Sequence, residues 1–359
     1  MRRHVIVFAL ATVTAAWSAP AAAAGFAVLS SHTWEGIFTG SRLSAMGGAD
    51  VAGDDGPGAL LVNPAPLMRG NAVAVAYDHV DYPLSETTSL GDADEDLDYV
   101  TTAVGVEWQG WRFSTCISDE SMDNSVMRTA YQPEGTGTLD HRSRMALVGL
   151  ARQLAGDTQA ERGPQWTVGV AYRSYSARTT ENQTDPLVTF DDGQATGTWD
   201  VGTTAAYRFA DPAHQASIAA TVAWQNLTDS KWVLDDREME LPQVVRMGLT
   251  TGLTFADGQR EWVKVVAAIA RSDYSSASVN RDFSQLGIEV TALRLLALRV
   301  GSNDRFYGGS NTWGVGLVLD HPRDWPLELA VDYGEIAPDN SLFSGADIAM
   351  WSGRLRVDF

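Results

Sequence analysis

The sequence has one cysteine, Cys116, in 359 residues, so an internal disulfide is excluded and nothing in the fold depends on oxidation. It is poor in positive charge: 26 Lys and Arg stand against 45 Asp and Glu, a formal net charge of −19, which argues against nucleic acid as a partner. Beyond its opening stretch it has no run approaching the roughly 18 apolar residues of a spanning helix. Metal-site spacing is missing too, since His32, His79, His141, His214 and His321 are scattered, and no zinc or iron site is expected. Asp92, Asp94, Asp96 and Asp98 are spaced like calcium ligands, but Leu97 stands where that loop needs glycine and Ala103 where it needs a bidentate acid. They read as solvated loop charge, as do Asp235, Asp236, Glu238 and Glu240. With no Gly-x-Ser-x-Gly elbow, no cofactor and no enzymatic activity are expected.

What is present is alternation. In the last nine residues, Trp351 to Phe359, odd positions are apolar or glycine, while even positions carry Ser352, Arg354, Arg356 and Asp358. A period of two gives a strand one apolar and one wet face. At the other end, Arg2 and Arg3 precede an apolar run from Val5 to Trp17 and a small-residue stretch from Ser18 to Ala24. This predicts a secretory signal peptide over 1–24, cleaved after Ala24, which leaves 24 basic residues and a charge of about −21. Together the two ends predict export to the bacterial outer membrane, with the aromatic-terminated strand read by the barrel-insertion machinery.

After residue 70, fourteen segments share the period of two: 71–82, 98–108, 111–118, 139–151, 165–175, 196–209, 215–226, 242–255, 261–273, 282–291, 294–302, 311–320, 326–336 and 347–359. Many span the ten or so residues of a tilted membrane strand. Charges fall opposite the aromatics and aliphatics: Arg142 and Arg144 against Met145 and Leu147, Arg173 against Trp166 and Tyr172, Asp200 and Arg208 against Trp199 and Phe209. The same holds for Arg246 against Met247, Glu289 against Ile288, and Glu328 and Asp332 against Val331. A barrel turns such an apolar face to lipid. Connections alternate short (Gln109-Gly110, Ala210–His214, Ala256–Arg260, Asp320–Trp325) and long (Pro83–Leu97, Asp119–Thr138, Ser176–Ala195, Leu227–Leu241), as periplasmic turns and outer loops do, with Arg152–Pro164 the irregular short one. Trp108, Trp111, Trp224, Trp262, Trp313, Trp325 and Trp351 near segment ends mark the lipid boundary. The expected fold is all-β, a transmembrane antiparallel barrel of about 14 strands over 70–359 behind an N-terminal segment over 25–69. Cys116, opposite in parity to Phe113 and Ile117, faces the lumen.

The N-terminal segment differs in character: Gly40-Ser41-Arg42-Leu43-Ser44-Ala45-Met46-Gly47-Gly48-Ala49, then Asp54-Asp55-Gly56, then Asn63-Pro64-Ala65-Pro66-Leu67. Glycines at 47 and 48 allow close backbone approach, Pro64 fixes a turn, and the Asn63 side chain can satisfy backbone groups within it. This pattern resembles the start of the PorV/PorQ proteins and their FadL-like relatives, although Pro66 departs from a common glycine. Gln225-Asn226-Leu227, Arg246-Met247-Gly248-Leu249 and Leu298-Arg299-Val300-Gly301 extend the resemblance over most of the mature chain.

The resemblance implies a fourteen-stranded barrel whose N-terminal segment folds inward as a hatch or plug, with Met46, Gly47, Gly48, Asp54, Asp55, Asn63, Pro64 and Ala65 as candidates for packing it or for gating and ligand contact. Parity adds a lumen set: Arg142, Arg144, Arg173, Arg208, Arg246, Glu289, Arg299, Asp332, Arg354 and Arg356, either paired with inward acids or forming an anion path. The function implied is passage or binding of small hydrophobic molecules across the outer membrane. The alternatives are a type IX secretion-associated carrier or anchor that binds exported proteins, and a purely structural barrel.

Overall fold

The computed structural model describes residues 41–46, 48–50, 59–66, 71–84, 93–129, 132–156, 162–183, 189–210, 214–228, 230–234, 237–241, 243–257, 260–275, 280–304, 310–320, 326–338 and 347–359. The expected signal peptide and the candidates Gly47, Asp54 and Asp55 lie outside the described residues.

Fourteen strands close into an antiparallel barrel. In chain order they are β1 (Ala72–Leu84), β2 (Ala93–Trp108), β3 (Trp111–Thr129), β4 (Gln132–Ala155), β5 (Gly163–Gln183), β6 (Thr189–Ala210) and β7 (His214–Gln225), then β10 (Gln243–Asp257), β11 (Arg260–Ser275), β12 (Asn280–Ala292), β13 (Leu296–Asn303), β14 (Ser310–Asp320), β15 (Leu327–Pro338) and β16 (Ile348–Asp358). β8 (Lys231–Leu234) and β9 (Arg237–Glu240) form a separate hairpin between β7 and β10. The barrel strands pair in chain order, β7 with β10 across that hairpin, and β16 returns to β1 with Ala72 opposite Asp358 and Asp81 opposite Ala349. Phe359 N–H donates to Asn71 O at 2.9 Å, so the C-terminal alternation forms the closing seam.

The side chains are sorted inside out. On β14, Trp313, Val315, Leu317 and Leu319 are exposed while Thr312, Gly314 and Gly316 are buried; on β12, Leu286, Ile288 and Val290 are exposed while Gln285, Gly287 and Glu289 are buried. In water each exposed aliphatic would forgo about 1.5–3 kcal/mol of burial. A lipid surround restores it, and closure leaves no strand edge to desolvate. Aromatic rings form a row at one level across three strands, Trp313 to Tyr333 at 5.3 Å and Tyr333 to Trp351 at 4.5 Å between centroids, as an interfacial girdle requires.

One end carries the tight turns. Gln109 (φ 50°) and Gly110 (φ 77°) make a two-residue hairpin turn whose paired positive φ values match strand twist. Beside it the Arg152 guanidinium lies 4.7 Å from the Trp111 ring centroid. The irregular link leaves β4 through a bulge between Gln153 and Ala155 and Gly156 at φ 82°.

The opposite end departs from expectation in two respects. Segments read as long loops continue as strand: β3 and β4 run to Thr129 and Gln132, β5 and β6 to Gln183 and Thr189, and β2 already includes Asp94, Asp96 and Asp98. The sequence over 122–138 and 177–195 has no period-two alternation, so the ladder continues without a pattern to reveal it. The second correction concerns Arg142 and Arg144. Met145 and Leu147 point inward (0% and 1% exposed), and Arg142 and Arg144 stand on the outer wall, where Arg144 Nε donates to Asp119 at 2.5 Å. Beyond the lipid a charged outer face has no cost, whereas inside the barrel Met145 and Leu147 find an apolar partner.

Candidate functional site

That partner is the N-terminal segment, whose described residues 41–46, 48–50 and 59–66 lie against the inner wall. Helix α1 (Ser41–Ala45) is a single turn closed by backbone geometry: Gly48, at φ 80°, donates its N–H to Leu43 O at 2.8 Å. A second turn, α2 (Ala59–Val62), leads into Asn63-Pro64-Ala65, and Asn63 Oδ1 accepts from Ala65 N–H at 2.9 Å. Met46, Ala45, Asn63 and Ala65 are all fully buried.

On one wall α1 is held by charge. Arg42 donates to both Glu289 carboxylate oxygens (2.9 and 3.2 Å) and to Asp50 (3.0 Å). Glu289 also accepts from Arg299 Nε at 2.7 Å, and Arg299 reaches Asp332. Thr250 donates to Asp50 at 3.2 Å, and Thr312 to Ala45 O at 2.8 Å. At Gly287 a β-carbon would overlap the Met46 carbonyl, so a bare backbone there lets Met46, just past α1, lie against β12.

The Asn-Pro-Ala turn is held on the other wall mainly by neutral groups. Asn63 Nδ2 donates to Thr221 at 2.6 Å and Thr204 at 3.4 Å. The Leu61 carbonyl accepts from Gln225 at 2.7 Å and Arg173 at 3.0 Å, and Arg173 is fixed by Asp200 at 2.6 Å with both side chains buried. Gly169 and Gly202 complete the seat: a β-carbon at Gly169 would strike the Pro64 carbonyl, and at Gly202 the Asn63 Oδ1.

Between these walls lies an apolar seam. Leu43, Met46, Leu61 and Val62 belong to one buried cluster with Cys116, Met145, Leu147 and Tyr175, which extends from Leu241 at the long-loop end to Ala72 at the short-turn end. Arg246 lies nearer the long-loop end, bonded to Gln225, Ser272 and Tyr274 beside the Tyr274–Phe283 ring pair. At the short-turn end Arg354 bonds Glu328 and Arg356 bonds Asp358, and the Arg208 side chain is part-exposed on the inward parity of β6.

Of the lumen set, Arg299, Glu289 and Asp332 meet in one network with the N-terminal segment, Arg173 reaches the segment from the other side, Arg246 backs Gln225 there, and Arg208, Arg354 and Arg356 lie elsewhere inside. The candidate sets did not include Arg42, Asp50, Thr221, Gln225 or Asp200, although parity put Asp200 opposite Trp199. Glycine at lumen parity among bulky neighbours, as at Gly202 and Gly287, is the signal that could have located both walls.

Among solved structures, the toluene transporter TbuX of Ralstonia pickettii superposes with a TM-score of 0.51 at 14% identity, covering 91% of this chain and 100% of that one. The chain has the TbuX fold. The toluene transporter TodX of Pseudomonas putida (TM-score 0.49, 13% identity, 90% and 97% coverage) and a FadL homologue of Pseudomonas aeruginosa (0.44, 10%, 87% and 96%) also match. No family model and no curated protein matches the sequence. The closed fourteen-stranded barrel agrees with the architecture expected from the sequence, and at this identity the likeness to TbuX speaks for architecture alone.

Proposed function

We propose that the protein is a bacterial outer-membrane channel that passes small hydrophobic molecules, with residues 25–69 acting as a hatch and no catalytic role. The observation that carries this reading is the apolar seam running the length of a closed barrel, filled by N-terminal side chains that are pinned at both walls. A purely structural barrel would need no removable apolar filling. The inside-out surface supports a place in the membrane, and the TbuX fold belongs to a toluene transporter. Export by the 1–24 signal peptide and insertion through the C-terminal strand belong to the same proposal. The test is uptake of radiolabelled toluene by cells with and without the protein. Loss of the gene should slow uptake and restored expression recover it; equal uptake in both would remove the channel reading.

A second reading has its own observation. β3 to β6 project beyond the other strands as a four-stranded sheet, a surface on which a PorV-type carrier could receive exported proteins in type IX secretion. Crosslinking at the β3–β4 and β5–β6 tips followed by mass spectrometry separates the two, since a carrier yields cargo or translocon peptides and a channel does not.

A further inference from the structure

The outer wall changes character strand by strand where its apolar row ends. On β2, β12 and β15 the first outward charges past that row are acids: Asp98 after Val100, Asp282 after Leu286 and Ser284, and Glu335 after Val331 and Tyr333. On β11 it is Arg271, which lies between two carboxylates, Asp273 at 3.0 Å and Asp282 at 2.7 Å. β4 differs: past Leu150, Val148 and Ala146 it presents two exposed arginines in succession, Arg144 and then Arg142. The register sets Arg178 of β5 directly opposite Arg142, and the outward Ser176 opposite Arg144. Like charges at facing positions of a ladder are destabilising by themselves. A bound anion turns that cost into an attraction.

The level in the wall says which anion. Where outward aliphatics give way to charge, acyl chains give way to headgroups, so the anion within reach is a headgroup phosphate. Guanidinium groups match phosphate in charge and in the geometry of their N–H groups. Arg144 gives Nε to Asp119 at 2.5 Å, and a guanidinium has five N–H groups, so a phosphate joins such contacts without displacing them. We propose that Arg142 and Arg144, with Arg178 at the facing register position, form a docking site for the phosphate of an outer-leaflet glycolipid whose acyl chains lie against Ala146, Val148 and Leu150. Repulsion by the acids on the other strands directs the headgroup to this side of the barrel. The site rests on the outer-membrane placement and is independent of what passes through the lumen.

The probes are lipid A with its phosphates and the same lipid with its phosphates removed, titrated onto detergent-solubilised full-length protein and read by native mass spectrometry. The phosphorylated lipid should bind the wild type at least about tenfold tighter. The double variant Arg142→Gln with Arg144→Gln should bind it about thirtyfold more weakly than the wild type, and Arg271→Gln should bind it as the wild type does. Heat-modifiable gel mobility checks that each variant is folded, and the comparison of the two lipids needs no variant. Equal binding of the two lipids, unchanged binding by the folded double variant, or an equal loss in Arg271→Gln would overturn the site. Displacement of the lipid by excess inorganic phosphate would assign the arginines to free phosphate and overturn the lipid reading. Toluene uptake reads the channel separately, so either proposal can fail without the other.

Discussion

Replacing Asp200 by alanine is expected to lower the unfolding free energy by about 3–5 kcal/mol, because it strands a buried guanidinium. Arg173 and Asp200 are 1% and 0% exposed, and Arg173 gives both Nε and Nη2 to one carboxylate oxygen. The pair itself is not the source of stability, since desolvating two charges costs nearly what their attraction returns. The double replacement Arg173→Met with Asp200→Leu should therefore recover most of the loss, while either single change should not. Urea unfolding in lipid vesicles, followed by tryptophan fluorescence as a double-mutant cycle, reads this directly. A hydrated lumen would give a different result: the pair would behave as an exposed ion pair worth at most about 1 kcal/mol, and the double variant would gain nothing over the singles.

The outer wall makes the second strong prediction. Leu317 is 54% exposed within the outward apolar row of β14 formed with Trp313, Val315 and Leu319, flanked by Leu296 and Val331 on the neighbouring strands. Arginine there should cost about 2–4 kcal/mol in a bilayer, while arginine at Asn311, near the strand end, should cost about 0–1 kcal/mol. The depth dependence is the diagnostic part. In a water-exposed barrel Leu317→Arg would be neutral or favourable, with no difference between the two positions in the same vesicle assay.

These two predictions differ in how far the sequence alone could reach them. Leu317 belongs to a segment where apolar and small residues alternate without interruption, so the lipid face, the strand count and the closing role of β16 were all legible. Parity also identified Asp200 and Arg173 as inward. It misassigned Arg142 and Arg144 because it supposes that the apolar face is always outside, a rule that holds only within lipid. Arg142 and Arg144 follow the outward Ala146, Val148 and Leu150, while on the inner face Met145 and Leu147 join the buried cluster of the N-terminal segment. The extended β3–β6 hairpins were hidden because their sequence over 122–138 and 177–195 has no period of two to detect. The Asn63-Pro64-Ala65 turn was legible from local chemistry, through its Asx bond to Ala65. Its seat was not, because Gly169, Gly202, Thr204 and Thr221 lie more than a hundred residues away and are joined only by the closure of the barrel.

The central claim is that the N-terminal segment occupies this lumen and closes it. Single-channel conductance in planar bilayers, comparing the wild-type chain with the double variant Gly169→Val and Gly202→Val, tests it most directly. The two β-carbons occupy the positions of the Pro64 carbonyl and the Asn63 side-chain oxygen, which unseats the turn without shortening the chain. The wild type should stay closed to ions, and the variant should show frequent, stable open steps. Equal silence from a folded, inserted variant, or equal conductance from both proteins, would contradict the account.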